Sequence, residues 1–391
     1  MKIFSVFVSV NLIVLIASCT SSYQEDTQAE IIIKVDPSIA IPVTLENLLD
    51  TAFALPVILP DSVYIGVIEQ LDVMNDGRIL IMDPYIAERI ILLNADGTYF
   101  SQLNQIGAGP GEFQNLFNFA INPSEDQVAV FDRMSRSFHV YNLPRFKYIE
   151  SYRYSNYIMH MQWIEDDLMY IMNEDLDVND HTLGLELFDW SRKQLKNSFL
   201  RNDRINAIEL SFANTFSRMG SKNYFAYHSP ISTIFELHPK GIQPRVSIDF
   251  GKAAPDLGFF TGKDMDDPEG YLSEFFKATW IRNFTISENR LSFQHIYKEP
   301  DNQHLVFANL ETGELKNYQN PSWSALNSGE MPSPIGRYGD YFIYSINFEE
   351  LKTDFFNQSD QLSQSLRRSV NISGFDPEQL FLLFVKYKHA Y

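Results

Sequence analysis

Residues 71–83 read LDVMNDGRILIMD, and residues 90–97 continue with IILLNADG. The apolar runs are short, and each lies next to an Asp-Gly pair, Asp76-Gly77 or Asp96-Gly97. Asp-Gly beside apolar runs is typical of tight turns between β-strands, because both residues accept the backbone angles that such turns need. This stretch therefore predicts consecutive antiparallel strands.

The same unit recurs along the chain: a short strand, a turn, an apolar strand that ends in a polar residue, and a further apolar strand. In the later copies the polar-ended strand lies at Val128–Asp132, Leu168–Asn173, Tyr224–His228, Leu291–His295 and Tyr341–Ser345. Such units cannot bury their apolar faces alone, and repeats of roughly 40–65 residues suit four-stranded blades stacked around an axis. The sequence thus predicts an all-β fold, a six-bladed β-propeller with four-stranded blades.

Residues 31–391 are predicted to form a single propeller domain. No Pro-, Gly- or Ser-rich linker separates the chain into halves, although two stacked β-sandwich domains are the alternative. The strand Ile31–Val35 lies outside the six copies, whereas the last copy runs to the end of the sequence. We expect this strand to pair into the last blade, because such a closure removes an exposed sheet edge.

Two insertions interrupt the blade pattern with helical signals. Asp267-Pro268-Glu269 combines a helix cap, a proline for the first turn and an acid near the positive end of a helix. Within residues 349–377, Leu362 and Leu366 share one helical face. We expect two short helices, of which the first either packs on the propeller or covers its central cavity.

The N-terminus has the order of a bacterial export signal. Lys2 precedes an apolar run that is too short to span a membrane, and Ile16-Ala17-Ser18-Cys19 resembles the lipobox of bacterial lipoproteins. The resemblance implies a signal peptide at 1–18 and an acylated Cys19 that begins a flexible tether at 19–30. The lipid would anchor the chain to a membrane of the cell envelope, with the outer membrane as the expected one. The alternative is an ordinary buried cysteine after a leader that is cleaved elsewhere.

Composition and missing motifs exclude several classes of function. Cys19 is the only cysteine in 391 residues, so disulfides, a CxxC redox pair and thiolate zinc sites are excluded from the remainder. The formal net charge of -19 argues against a nucleic acid as partner, because phosphate binding needs a basic surface. The sequence also lacks the G-x-S-x-G, H-E-x-x-H and phosphate-loop signatures of common enzymes.

A glycine-rich stretch connects the first two copies of the unit. This stretch, residues 107–113 (GAGPGEF), resembles the linker of NHL-type propeller repeats, and the run Asn75–Asp83 is similar to the strand that such repeats place next to it. Together with the lipobox, the chain resembles the six-bladed β-propeller lipoproteins of gut-type Gram-negative bacteria, a family largely without assigned function. The resemblance implies the fold and not an activity.

Equivalent strand ends supply a candidate ring around the propeller axis. The polar residues that end the second strand of each copy are Asp83, Asp132, Asn173, His228, His295 and Ser345. They resemble the axial calcium site of six-bladed lactonases, in which oxygen ligands suit a hard cation. The alternative is that such aspartates accept hydrogen bonds from turn amides, and histidine is a poor calcium ligand.

We therefore expect a non-enzymatic binding or scaffolding module whose partner is a glycan, a peptide or another envelope protein. The alternative is a calcium-dependent hydrolase or lyase that uses the ring around Asp83 and Asp132. Two triplets, Asp50-Thr51-Ala52 and Asp61-Ser62-Val63, resemble the acceptor of bacterial periplasmic O-glycosylation. This resemblance would make Thr51 and Ser62 modification sites.

Overall fold

A computed structural model of the chain describes residues 29–177, 180–202, 215–226, 232–254, 270, 281–287, 289–352, 360–373 and 378–388. The predicted signal peptide, Cys19, His228 and, apart from Gly270, the helix predicted after Asp267 lie outside these residues. Among the residues described, no helix is both long and apolar enough to cross a lipid bilayer.

Six antiparallel sheets form the blades of a β-propeller, which confirms the fold that the repeats predict. From the axis outward, blade 1 consists of β3 (Gln70–Val73), β4 (Ile79–Asp83), β5 (Arg89–Leu93) and β6 (Tyr99–Leu103). Blade 2 consists of β7 (Leu116–Ile121), β8 (Gln127–Asp132), β9 (Ser137–Asn142) and β10 (Lys147–Arg153). Blade 3 consists of β11 (Tyr157–Glu165), β12 (Leu168–Asp177), β13 (Asp180–Asp189) and β14 (Gln194–Asn202).

The remaining blades follow the same order from the axis outward. Blade 4 consists of β15 (Phe216–Met219), β16 (Lys222–Ala226), β17 (Thr233–His238) and β18 (Gly241–Asp249). Blade 5 consists of β19 (Arg282–Ile286), β20 (Arg290–Tyr297), β21 (Glu299–Asn309) and β22 (Leu315–Gln319). Blade 6 consists of β23 (Gly336–Tyr338), β24 (Tyr341–Asn347), β25 (Leu380–Tyr387) and β2 (Leu49–Pro56).

The core lies between blades rather than inside one of them. Every residue of β4 is buried, because each face of its sheet packs against a neighbouring blade. The outer strand β10 instead alternates half-buried and exposed residues. The buried apolar residues of the described chain form six clusters, one at each interface between neighbouring blades. Strands that are covered on both faces read as continuous apolar runs, which is why the second strands were the clearest sequence signal.

The propeller is closed by β2, and the closure expected for the strand at 31–35 is wrong. β2 pairs antiparallel with β25, so blade 6 combines one N-terminal strand with three C-terminal strands. β1 (Ile31–Lys34) pairs in parallel with β18 and adds a fifth strand to the outer edge of blade 4. N-terminal strands therefore cover the outer edges of two blades, blade 4 and blade 6. The apolar pattern of a strand does not specify which blade it joins.

Two α-helices lie among the described residues. The short α1 (Leu45–Leu48) precedes β2 and was not predicted. The second, α2 (Gln361–Ser373), is the helix predicted within 349–377. Leu362 and Leu366 of α2 are fully buried in the cluster between blades 5 and 6, as their shared helical face indicates.

Helix α2 also satisfies the free hydrogen-bonding edge of β2. Gln361 Oε1 accepts a hydrogen bond from Ala52 N at 3.1 Å, and Ser365 Oγ accepts one from Ala54 N at 2.9 Å. Ser369 Oγ donates to the carbonyl oxygen of Ala54 at 2.8 Å. The three side chains are four residues apart and therefore share one helix face, which takes the place of a further strand.

The glycine-rich linker between blades 1 and 2 is a compact turn. Gly111 has a φ of +76° and lies against the ring of Tyr148, where a side chain would collide. The Glu112 carboxylate accepts a hydrogen bond from Gly109 N at 2.8 Å. These contacts explain the glycines by backbone geometry and close packing rather than by phosphate binding.

Candidate functional site

A cavity of about 730 Å³ runs along the propeller axis. The innermost strands of all six blades line it, and several of these strands contact their counterparts in the next blade. We call it the central channel. Its wall consists of the innermost strands and of both polar and apolar side chains, so a ligand inside would meet groups from every blade.

Amide side chains connect neighbouring blades around the channel. Gln70 Oε1 of blade 1 accepts hydrogen bonds from Asn118 Nδ2 at 3.1 Å and from Phe119 N at 3.0 Å, both in blade 2. Asn118 Oδ1 in turn accepts one from Met161 N of blade 3 at 3.2 Å. Asn283 Nδ2 of blade 5 donates to Gln294 Oε1 of the same blade at 2.9 Å and to the carbonyl oxygen of Pro334, just before blade 6, at 3.3 Å. These bonds hold the first strands in register and fix part of the channel wall.

Asp72 of blade 1 and Arg218 of blade 4 line the channel and attract each other. Burial raises the pKa of the Asp72 carboxyl to about 6, although the N–H of Val73 and the charge of Arg218 lower it. Val73 N donates to Asp72 Oδ1 at 2.9 Å. Glu125, whose carboxylate accepts a hydrogen bond from Asn75 N at 2.8 Å, repels Asp72 and raises its pKa further.

Arg337 of β23 also lines the central channel. Its Cζ lies 4.3 Å from the ring centroid of Phe342, which holds the guanidinium plane against an aromatic face. Its Nε and Nη1 are buried and have no hydrogen-bond partner among the described residues. Burial lowers the pKa of Arg337 to about 9, although the nearby Tyr344 and Asp340 act to raise it.

Asp83 lies at the end of β4, and its carboxylate accepts hydrogen bonds from four backbone N–H groups. Oδ2 accepts from Gly66 N at 2.6 Å and Val67 N at 3.1 Å, and Oδ1 accepts from Tyr85 N at 3.2 Å and Ile86 N at 3.0 Å. Burial acts to raise the pKa of Asp83, but these hydrogen bonds outweigh it and the pKa is lowered. A carboxylate has about four acceptor positions, so little capacity remains for a metal ion.

Asp132 repeats this arrangement in blade 2. Its oxygens accept hydrogen bonds from Gln114 N at 3.1 Å, Asn115 N at 2.9 Å and Met134 N at 3.0 Å. In both blades the strand-end aspartate therefore ties the segment that enters the blade to the turn that follows β4 or β8. This is the capping role that the sequence analysis gave as the alternative to calcium binding.

The other members of the predicted ring lie in different surroundings. Asn173 is buried in β12, and His228 is outside the described residues. His295 is fully buried between Phe250 and His304, with ring centroids at 5.4 and 4.7 Å. Burial lowers the pKa of His295 to about 3, so the ring is neutral at physiological pH.

Ser345 faces the opposite side of its blade from Asp83. The neighbours of Ser345 in β24, Tyr344 and Ile346, pack toward the preceding blade 5, whereas Met82 packs toward the following blade 2. Adjacent residues of a strand point to opposite faces, so Ser345 faces blade 1 and Asp83 faces the preceding blade 6. The described members of the predicted ring do not line the central channel, and the described residues contain no cluster of three His, Cys, Asp or Glu side chains. The ring as a calcium site stays a prediction.

The sequence analysis missed the channel residues because it followed the apolar second strands. The signal was present in the first strands, where single polar residues interrupt short apolar segments. Gln70, Asp72, Asn118 and Arg218 all occupy such positions. The predicted glycosylation residues Thr51 and Ser62 are exposed on the surface.

Comparison with known proteins places the chain among uncharacterised propellers. A family model described as a domain of unknown function, DUF4934, matches residues 59–378. The fold is similar to that of a Bacteroides fragilis protein described as exported, with a TM-score of 0.69 and 19% identity over 91% of this chain and 99% of that one. It is also similar to a DUF4221 member from Bacteroides vulgatus, with a TM-score of 0.52 and 11% identity over 88% and 99%. No protein with a curated description matches the sequence.

Proposed function

The chain belongs to the DUF4934 family of unknown function, and we propose that it is an envelope binding module that takes the end of a glycan or peptide chain into the central channel. Fold and family do not assign an activity, so the proposal depends on the site. The same channel would serve a scaffolding role if the inserted chain end belonged to another envelope protein.

The size and lining of the central channel carry this proposal. Its volume of about 730 Å³ falls within the range of about 300–1,000 Å³ that is typical of small-ligand sites. Apolar groups such as Phe117 and Ile121 alternate around it with polar groups such as Gln162 and Thr285. This mixture suits a ligand that needs both contact area and oriented hydrogen bonds.

A channel-filling substitution tests the binding site directly. Gln162→Trp places a large ring at a half-buried position of the channel wall. Leu195→Trp is the matched control, because Leu195 is 50% exposed on the outer strand β14. We expect glycan and peptide arrays to show ligands that bind the wild-type protein and Leu195→Trp but not Gln162→Trp. Equal binding by all three proteins would place the site elsewhere and refute the proposal.

Anchoring through Cys19 is the second part of the proposal and has its own experiment. The lipobox-like tetrad and the polar tether support it, since a cysteine directly after small residues suits acylation. Metabolic labelling with a fatty-acid analogue should label the wild-type chain and not Cys19→Ser, and the variant should leave the membrane fraction. Label retained by Cys19→Ser would contradict lipidation at this residue.

The calcium-dependent enzyme has no specific observation in its favour. It requires free oxygens on Asp83 and Asp132, whereas backbone amides already donate to both carboxylates. Binding without chemistry is therefore the function that the geometry supports best.

A further inference from the structure

Exposed apolar side chains lie on one face of blades 1 and 2. They belong to the loop before β3, the turn after β4 and the turn after β8, which open at the same end of the propeller because neighbouring strands are antiparallel. We call this set the apolar patch, and its members are Tyr64, Val67, Tyr85, Ile86 and Met134. Their exposed fractions run from 41% for Val67 to 70% for Met134. Large apolar groups that share one exposed surface mark an interaction site, whereas scattered single ones need no explanation.

The strand-end aspartate of blade 1 fixes the conformation of the patch. Asp83 Oδ1 accepts hydrogen bonds from Tyr85 N and Ile86 N. Its Oδ2 accepts one from Val67 N, so a single carboxylate joins the two loops of this blade. The loops also pack closely, because a Cβ on Gly66 would lie only 2.6 Å from the Cβ of Ile86. A surface that is fixed before binding loses little conformational entropy when a partner docks.

Blade 2 places arginines beside the patch. Arg133 and Arg136 flank the exposed Met134 in the turn between β8 and β9. The Cζ of Arg133 lies 4.8 Å from the ring centroid of Phe117, and that of Arg136 lies 4.4 Å from the ring centroid of Tyr157. Aromatic faces attract and orient guanidinium groups. Oriented positive charge therefore adjoins the exposed methionine.

The loops around these arginines carry no carboxylate of their own. Residues 114–117, 133–136 and 153–157 include three arginines but no Asp, Glu or Lys. Asp132, which precedes the first of them, is buried and accepts hydrogen bonds from three backbone amides. Tyrosine, methionine and arginine are enriched in protein interfaces, whereas lysine is depleted there. In a chain with a formal net charge of -19, this composition favours a protein partner with negative charge.

We propose that this face docks an acidic peptide segment of a protein partner, with apolar side chains on the patch and carboxylates at the arginines of blade 2. A glycan suits the surface less well, because its hydroxyls would lose hydrogen bonds to water against Val67, Ile86 and Met134. Tyr85 also lines the central channel, so the docked segment lies at the channel mouth. The inference goes beyond the proposed function, since this surface binds whether or not a chain end enters the channel.

The first experiment selects ligands without assuming their sequence. Phage that display random dodecapeptides are selected on the purified wild-type protein and, in parallel, on Met134→Asp. Because Met134 is 70% exposed, its replacement should leave the melting temperature close to that of the wild type. We expect the wild type to enrich peptides that combine net negative charge with aromatic or aliphatic side chains. Met134→Asp should not enrich them, because its carboxylate repels the segment and an apolar contact is lost.

One enriched peptide, labelled with fluorescein, then serves as the probe in fluorescence anisotropy. Arg136→Glu and Met134→Asp should each weaken its binding by about tenfold or more. Arg290→Glu is the matched charge control, because Arg290 is exposed in the turn between β19 and β20 on the opposite face. Leu195→Asp is the matched apolar control on the outer strand β14. Both controls should bind the probe as the wild type does.

Salt dependence supplies a second readout that a purely structural role of Arg136 would not change. Raising the salt concentration to about 0.5 M should weaken binding of the probe to the wild type several-fold, because exposed charges are screened. The effect should be smaller for Arg136→Glu, in which the attraction is already lost. An equal salt effect in both proteins would count against a carboxylate at this arginine.

Three further results would overturn the inference. They are a selection that enriches no peptide, enrichment of neutral or basic peptides, and equal binding of the probe by the wild type and Arg136→Glu. A glycan whose binding requires Tyr85 but not Arg136 would also refute the acidic peptide. The channel is tested separately: loss of the probe by Gln162→Trp together with unchanged binding by Arg136→Glu would refute this surface while supporting the channel.

Discussion

Replacement of Ser365 by alanine tests whether α2 acts as the missing strand at the edge of blade 6. The serine hydroxyl accepts the hydrogen bond of Ala54 N at 2.9 Å, and Ala54 is only 8% exposed. A buried N–H without a partner costs about 1–3 kcal/mol. Alanine gains about 0.5 kcal/mol in helix propensity over serine. We therefore expect Ser365→Ala to lower the free energy of unfolding by about 0.5–2.5 kcal/mol.

The assay must separate this hydrogen bond from general loss of helix stability. Denaturant unfolding gives the total change, and hydrogen exchange followed by mass spectrometry reports the amides of β2. Exchange should accelerate in peptides that contain Ala54, whereas Arg368→Ala, on the exposed face of α2, should leave both measurements close to the wild type. Unchanged stability and unchanged exchange in Ser365→Ala would show that the hydroxyl does not protect this edge.

Three other changes have expected outcomes of similar precision. In thermal unfolding, Gly97→Ala should lower the melting temperature by more than Gly313→Ala does. Both glycines have positive φ, but only a Cβ at Gly97 would collide with another residue, at 2.0 Å from a carbonyl oxygen of β2. Equal decreases in melting temperature would refute the close approach. Asp83→Ala and Asp132→Ala should each lower the free energy of unfolding by about 1–3 kcal/mol, because backbone amides lose their hydrogen-bond acceptors. The decrease should be the same with and without calcium, and a decrease seen only with calcium would support a metal site instead. The pKa of His295 is lowered to about 3 in the folded state, so below its ordinary pKa of about 6.5 the unfolded state binds more protons than the folded state. The free energy of unfolding of the wild type should therefore fall by up to about 2 kcal/mol between pH 7 and pH 5. The fall should be correspondingly smaller in His295→Phe, and an identical pH profile of the two proteins would contradict the buried neutral ring.

The predicted ring shows that residues at equivalent positions of a repeat need not point in the same direction. Alignment of strand ends grouped Asp83 with Ser345, but these residues face opposite sides of their blades. A shift of one residue in a strand reverses the face, and apolar composition alone does not define register when both faces are buried. The aligned strand ends therefore did not identify the channel wall.

The closing strand shows a similar limit. Both β1 and β2 are N-terminal strands beside an otherwise open sheet edge, and each covers such an edge. Which edge each one joins depends on distances set by the completed ring, because hydrogen bonding to a strand edge is almost independent of sequence. The short helix α1 between them also gave no periodic signal, since four residues make about one turn.

The sequence by itself determined the blade count and the helix at the last blade, because turn residues and apolar runs act locally and repeat in every copy. It also located the strand-end aspartates and offered backbone capping as one of their two roles. Only the tertiary structure decided that Asp72, Arg218 and Arg337 share one channel and that two guanidinium nitrogens of Arg337 are buried without a hydrogen-bond partner among the described residues. Those residues lie on three different blades, and their electrostatic relationship exists only after the ring brings the innermost strands together around one axis.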